Sequence, residues 1–254
     1  MLPIGVIEKH ADHLPLGTDM FTGTMLCRRA AEKEPAIVFP YYFFGQIAEA
    51  VHYPGTLSVP HRMLMENLLA VCDEISRNGL KKILIVSSHG GNNYFLPFFA
   101  QEMPRLNRDY CVYVGGIMGM SEEQRERFIA AAGTKDFGSH AWLTETSLMM
   151  HLRPDLVHME ESDVHDSVNL KRLDSIAQHH LFTGFNWYAS YPNHFAGSPE
   201  VATPELDKIL AEMAVDNLTA AIRAVKEDDI SAKLVSEYAV RAAHPDAAKT
   251  TRMA

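Results

Sequence analysis

Short, unbroken apolar runs alternate with stretches of helical period along this chain. Residues 2–7 (LPIGVI), 36–39 (AIVF), 82–87 (KILIVS) and 111–117 (CVYVGGI) read as strands. Between them the apolar positions recur every three or four residues. Met20, Met25, Leu26 and Ala30 line one side of a helix over 19–33, which Pro35 ends. Leu64, Leu68, Val71 and Ile75 do the same over 58–78, with Pro60 near the start and Gly79 just past the end. Phe95, Phe98, Phe99 and Met103 mark a helix over 93–106. A polar helix follows over 121–132, then a short one over 141–152, stopped by Arg153 and Pro154. Periodicity weakens between 157 and 199, where loops and short elements are expected. Thr203 caps a long amphipathic helix opened by Pro204, with Leu206, Ile209, Leu210, Met213, Leu218, Ile222 and Val225 as its apolar side. The tail 245–254 is expected to fray. The aromatic stretch 41–57 is core or pocket wall, because a run of exposed aromatic rings would be a liability.

The run 82–87 is apolar on both faces, which places it inside a parallel sheet covered by helices. The alternation as a whole predicts an α/β fold, a three-layer αβα arrangement with a mainly parallel sheet. No composition break divides the 254 residues, so a single domain over 1–254 is expected.

Composition adds limits. Hydrophobic content of 47% and charged content of 22% are ordinary for a globular protein with a full core. The net charge of −9 argues against nucleic acid or an anionic membrane surface as a partner. Cys27, Cys72 and Cys111 are isolated and odd in number, which suggests a reducing compartment and no disulfide framework. With no apolar run of membrane-spanning length, a cytoplasmic soluble protein is expected. The first strand begins at residue 2, which leaves room for residues upstream of Met1 in the natural gene product.

Three places carry candidate chemistry. The first strand leads into Glu8, His10, Asp12, His13 and Asp19. Glu8 and His10 are two apart, so an extended chain projects both to one face. Asp19 follows a Pro and a Gly, which allow the chain to turn back toward that face. Carboxylate and imidazole donors suit zinc, manganese or iron better than a soft copper site or an all-oxygen calcium site. The bland reading of such a stretch is a solvated loop. The second place, His89-Gly90-Gly91-Asn92, sits between a core strand and a helix. A plain turn and the His-Gly-Gly oxyanion loop of lipases are its other readings, but the Gly-x-Ser-x-Gly elbow that lipases need is absent. The third is His140-Ala141-Trp142-Leu143-Thr144-Glu145-Thr146-Ser147. Leu148, Met149 and Met150 suggest that this helix is buried, and a buried carboxylate needs a metal or a partner. Glu8 and His89 both fall at carboxyl ends of strands, the ligand edge of such a sheet.

Glu8-Lys9-His10, His13-Leu14-Pro15 and Thr18-Asp19 together resemble the first motif of the creatininase (creatinine amidohydrolase) family. His89-Gly90-Gly91-Asn92 resembles its second motif, and His140 through Ser147 its third. Gly197-Ser198-Pro199 with Ala202-Thr203 resembles a fourth. The resemblance implies a creatininase-like α/β fold and two divalent metal ions, zinc or manganese, with iron possible. It implies Asp19 as a bridge, Glu8 and His89 at one ion, and His10 and Glu145 at the other. His140 would carry a proton, and His13 would orient a ligand carboxylate or be structural. The implied reaction is hydrolysis of a non-peptide C–N bond in a small-molecule amide, a cyclic amide or a formamide. A homo-oligomer is implied, a hexamer by family likeness, with the aromatic run 41–44 as candidate interface. Creatinine-hydrolysing members carry a Glu where this chain has Gly91, so Glu145 is expected to replace it. A mononuclear or non-catalytic homologue binding a small molecule is the alternative. Of the remaining histidines, His52 is a pocket or loop residue. His61, His151, His158, His165, His179, His180, His194 and His244 have no spacing that singles them out and read as structural or surface.

Overall fold

The computed structural model describes residues 1–117, 119–135, 139–197 and 202–245. Ser198 and Pro199 of the fourth motif, and nearly all of the tail, lie outside these residues. The order of elements is β1 (Leu2–Ile4), α1 (Thr18–Lys33), α2 (His61–Arg77), β2 (Lys82–Ser87), α3 (Asn92–Leu106), β3 (Cys111–Gly116), α4 (Glu122–Ala132), α5 (Leu143–Leu152), α6 (Asp174–Ala177), α7 (Asn186–Ser190), α8 (Pro204–Glu227) and α9 (Ile230–Ala243). The three strands lie in the order β1-β2-β3 and all pairs are parallel, with Leu2 opposite Ile85 and Lys82 opposite Cys111.

Alternation along β2 decides the layers. Ile83 and Ile85 pack with Leu64, Leu68 and Cys72 of α2 and with Phe95, Leu96 and Phe99 of α3. Leu84 and Val86 face the other way, toward Leu26 of α1, Leu148 of α5 and Leu210 of α8. Helices therefore cover both faces, as the uniformly apolar run required. All three cysteines are free and buried and act as small hydrophobes. None of the described helices is long and apolar enough to cross a membrane.

One expectation changes. The run 36–39 is not a strand. It lies alongside β1, where the Phe39 N–H donates to Met1 O at 2.9 Å and the Gly5 N–H to Tyr42 O at 3.1 Å, but only one bridge forms, Ile4 with Tyr42. Pro40 has no N–H to donate, so no continuous ladder can grow. Within the aromatic run 41–44, Tyr42 is buried, edge-on to both Phe39 and Phe44, whereas Tyr41 is 45% exposed. Helix ends follow the local chemistry. The Ser121 hydroxyl and the Gln124 side chain cap α4 reciprocally, and the Thr203 hydroxyl accepts from the Leu206 N–H at the start of α8. Helix α5 starts at Leu143, two residues late, because Ala141 takes a left-handed conformation, φ 54°.

Candidate metal centre

The carboxyl ends of β1 and β2 converge on one buried cluster. The chain leaving β1 supplies Glu8 and His10, the first turn of α1 supplies Asp19, and the turn after β2 supplies His89. A Cβ on Gly5 would lie 2.5 Å from Met20 N and 2.6 Å from the Asp19 carbonyl carbon, so glycine there lets α1 approach β1 and delivers Asp19. The loop before α5 supplies His140 and its first turn supplies Glu145. All five expected ligands and His140 thus come together, from stretches up to 137 residues apart in sequence, Glu8 to Glu145.

Glu8 and His10 are fully buried and Asp19 is 1% exposed. His89 Nδ1 lies 2.8 Å from Glu8 Oε1 and 3.0 Å from Asp19 Oδ2. His10 Nε2 lies 3.2 Å from Asp19 Oδ1 and 3.8 Å from Glu145 Oε2. Asp19 therefore turns one oxygen to each group. His140 Nδ1 stands 4.0 Å from Glu145 Oε2, and its ring centroid is 4.3 Å from that of His10.

The far side of each ring shows which nitrogen faces the cluster. His10 Nδ1–H donates to Glu8 O at 3.3 Å, His89 Nε2–H to Gln46 O at 2.8 Å, and His140 Nε2–H to Lys9 O at 2.7 Å. A carbonyl can only accept, so the N–H of each ring is committed there. What points inward is His89 Nδ1, His10 Nε2 and His140 Nδ1, each able to offer a lone pair when its ring is neutral. Glu8 Oε1 and Asp19 Oδ2 are buried without a hydrogen-bond partner among the described residues. Ring nitrogens packed against buried carboxylate oxygens at 2.8–3.0 Å call for positive charge there, from a proton on the ring or from a bound cation.

The electrostatics make the same demand. Burial alone would lower the pKa of His10, yet the Asp19, Glu145 and Glu8 carboxylates push it up to about 10. His89 is likewise raised well above its ordinary value by Glu8 and Asp19, against burial. Burial alone would raise Glu8, but the His89 and His140 rings hold it well below the carboxylate range. Burial pushes Glu145 up to about 7, and it pushes His140 down to about 3 with help from His10 and His194. Positive charge is thus drawn to the two Asp19 oxygens, where a proton or a divalent ion can supply it. The residues fit the ion well: Glu8, Asp19 and His89 form one group of oxygen and nitrogen donors, and His10, His140 and Glu145 another, each within 4.8 Å.

Other expectations are corrected or refined. His194, read as structural or surface, is 2% exposed, and its Nε2 contacts Glu8 Oε2 at hydrogen-bond range. Its place three residues before the Gly197 motif was the available sequence signal. His13 orients no ligand carboxylate; its Nε2 bonds the Thr146 hydroxyl at 2.9 Å. His52 is exposed, and its Nε2–H donates to Pro192 O in the turn that carries His194. Trp142 is core, packed on Gly197, whereas Trp187 stands edge-on to His140. A Cβ on Gly91 would fall 2.5 Å from His89 Nε2 and 2.7 Å from Gln46 O. Glycine there keeps open the bond that orients His89.

A cleft of about 640 Å3 opens onto His89 and Glu145, lined also by Thr22, Asn93, Ile117, Met120 and Leu148. Its size suits a small organic ligand.

Known proteins resemble the chain over most of its length. The family model for creatininase, described as creatinine amidohydrolase, matches residues 1–222. The creatinine amidohydrolase of Pseudomonas putida is 25% identical over 248 residues, 88% of each chain. A mycofactocin precursor peptide peptidase of Mycolicibacterium smegmatis is 28% identical over 167 residues, 63% of this chain and 60% of that protein. Among solved structures, a putative creatinine amidohydrolase from Bacteroides fragilis superposes with a TM-score of 0.76 at 23% identity, covering 90% of this chain and 89% of its own. A manganese creatininase and a creatininase mutant in a zinc–zinc form each give 0.69 at 23% identity, covering 88% and 89%.

Proposed function

Because the chain belongs to the creatininase family of amidohydrolases, we propose that it hydrolyses the C–N bond of a small amide, a cyclic amide or a formamide, with two divalent ions held at the cluster. The observation that carries this reading is the convergence of the inward nitrogens of His10, His89 and His140 on the carboxylate oxygens of Glu8, Asp19 and Glu145, each ring held from behind by a backbone carbonyl.

In this reading Glu8 and His89 hold one ion, His10 and Glu145 the other, and Asp19 is shared. Bound zinc or manganese would supply an acidified water and a Lewis acid for the amide carbonyl. The residues do the rest. His140 Nδ1 faces the cluster 4.0 Å from Glu145 Oε2, placed to carry a proton there. Its Nε2–H stays committed to Lys9 O, which holds the ring in place while Nδ1 receives and then delivers a proton to the departing nitrogen. The buried walls of Glu8, His10 and Asp19 exclude bulk water, so each charge acts in a low dielectric. Gly91 removes the carboxylate that creatinine-hydrolysing members carry, and Glu145 takes its place at His10. Creatinine is therefore not the substrate favoured here.

We also propose a homo-oligomer, a hexamer by family likeness. Tyr94, Phe98, Phe182 and Phe185 are exposed, and the Tyr94 and Phe182 ring centroids lie 6.0 Å apart, tilted by 46°. Light scattering should give a mass several times 28.4 kDa; a monomer at micromolar concentration contradicts this.

The deciding experiment measures metal content by elemental analysis and turnover on cyclic ureides, lactams, formamides and short peptides. Two ions per chain and hydrolysis of a non-peptide amide are expected. One ion per chain favours a mononuclear site, and cleavage of peptides alone moves the substrate class.

A further inference from the structure

Four histidine rings crowd the centre, and one is wired in the opposite sense. His10, His89 and His140 give an N–H outward to backbone carbonyls and turn the other nitrogen inward. His194 accepts from outside: the Trp187 Nε1–H donates to its Nδ1 at 2.7 Å. An indole nitrogen can only donate, so Nδ1 of His194 is the acceptor and the ring proton sits on Nε2. Nε2 is the atom against Glu8 Oε2. A nitrogen carrying that proton has no lone pair for a metal, although Glu8, His140 and His194 lie close enough to form a third donor group.

Resting on the metal reading above, we infer that His194 is a positioning residue of the centre: its Nε2–H, set by the Trp187 indole, pins Oε2 of Glu8 and leaves Oε1 as the carboxylate oxygen offered to the His89–Asp19 position. The geometry agrees at both ends. Glu8 Oε1 is the oxygen that faces His89 Nδ1 at 2.8 Å and has no hydrogen bond of its own, whereas Oε2 is engaged by His194. A carboxylate held by one oxygen cannot swing to chelate an ion through both.

The surrounding chain holds His194 for this task. It sits in a left-handed conformation, φ 54°, rare for a residue with a side chain and costly unless its neighbours enforce it. The turn closes through the His194 N–H to Tyr191 O at 3.0 Å. Two residues on, Ala196 pairs with His140 by a bridge, donating its N–H to His140 O at 3.1 Å. Phe195 between them is 1% exposed. The loop is thus tied to the segment before α5 that carries His140, the proposed proton carrier.

The test compares wild type with His194→Gln, His194→Phe and Trp187→Phe. Zinc affinity is measured by competition with a chromophoric chelator, and the visible spectrum of the cobalt-loaded protein reports coordination. Gln retains an N–H donor, so its affinity should stay within a few-fold of wild type with an unchanged cobalt spectrum. Phe has no donor and should weaken binding of one ion about 10- to 100-fold and alter the spectrum. Trp187→Phe keeps His194 but frees its ring proton, and should weaken the same ion several-fold. If His194→Phe binds and absorbs like wild type, the ring only packs. If Gln loses affinity as severely as Phe, His194 is itself a ligand. Either result overturns the inference. Should His194→Phe fail to fold by circular dichroism, wild-type behaviour in Trp187→Phe overturns it instead. The wild-type arm stands apart: a wild type that binds no divalent ion sinks the metal reading and this inference with it.

Discussion

At the residue scale, the centre is specified less by which residues are present than by the direction each polar atom faces. Gly91 shows how narrow that condition is. Its missing side chain lets the His89 ring lie over the turn and reach Gln46 O. Gly91→Ala places a methyl 2.5 Å from His89 Nε2 and should cost about 10- to 100-fold in metal affinity, measured by chelator competition; an unchanged affinity would mean that the ring orientation is not critical. Glu145 reaches the cluster while its Oε2 also accepts from the Ala141 N–H at 2.6 Å. Glu145→Gln should empty one ion position selectively and abolish turnover, read as a fall from two ions to one by elemental analysis. Loss of both ions would contradict the division of ligands given above.

At the scale of elements, close approach of helix to strand delivers the ligands. Gly5→Ala sets its methyl against backbone atoms of Met20 and Asp19, which cannot yield as a flexible side chain would. It should destabilise the fold by roughly 1–3 kcal/mol in urea unfolding and lower metal affinity, because Asp19 moves with α1. The α5–α8 contact adds a pH dependence away from the centre. Burial raises Asp207, in the first turn of α8, from its ordinary 3.8 to about 6, offset in part by the Ser147 hydroxyl of α5. The native state then binds more protons than the unfolded state between about pH 4 and 6. Stability contributed by this group is present below that window and is lost as pH rises through it. Asp207→Asn should flatten this slope and gain roughly 1–2 kcal/mol at pH 7, seen as an unfolding midpoint that rises at pH 7 and not at pH 4.

At the scale of the whole molecule, two separate cores lie on the two faces of a three-stranded sheet, and the centre sits at the sheet's carboxyl edge. A cut deep in one core should therefore lower stability without rewiring the site. Phe99→Ala should lose about 3–5 kcal/mol in urea unfolding and still bind two ions at temperatures where it is folded. Loss of metal in the folded variant would show that the α2–α3 layer bears on the centre directly.

The sequence by itself determined the layers and most of the candidate ligand set. The run Lys82–Ser87 could only be a covered central strand, and its bounds and those of α3 and α8 follow from apolar period, caps and prolines, all local signals. Glu8, His10 and Asp19 were legible because short spacing places them on one loop, and His89, His140 and Glu145 because their motifs follow a strand or open a helix. Pro40 could have warned against a strand at 36–39, and α9 has no buried residue to give it a readable pattern. Only the tertiary structure decided which way each ring faces. His194 looked like any loop histidine, because its role depends on Glu8, 186 residues away, and on a left-handed turn. Hydrogen-bond direction between distant residues leaves no periodicity and no fixed spacing in a chain, so it becomes visible only when folding brings donor and acceptor together.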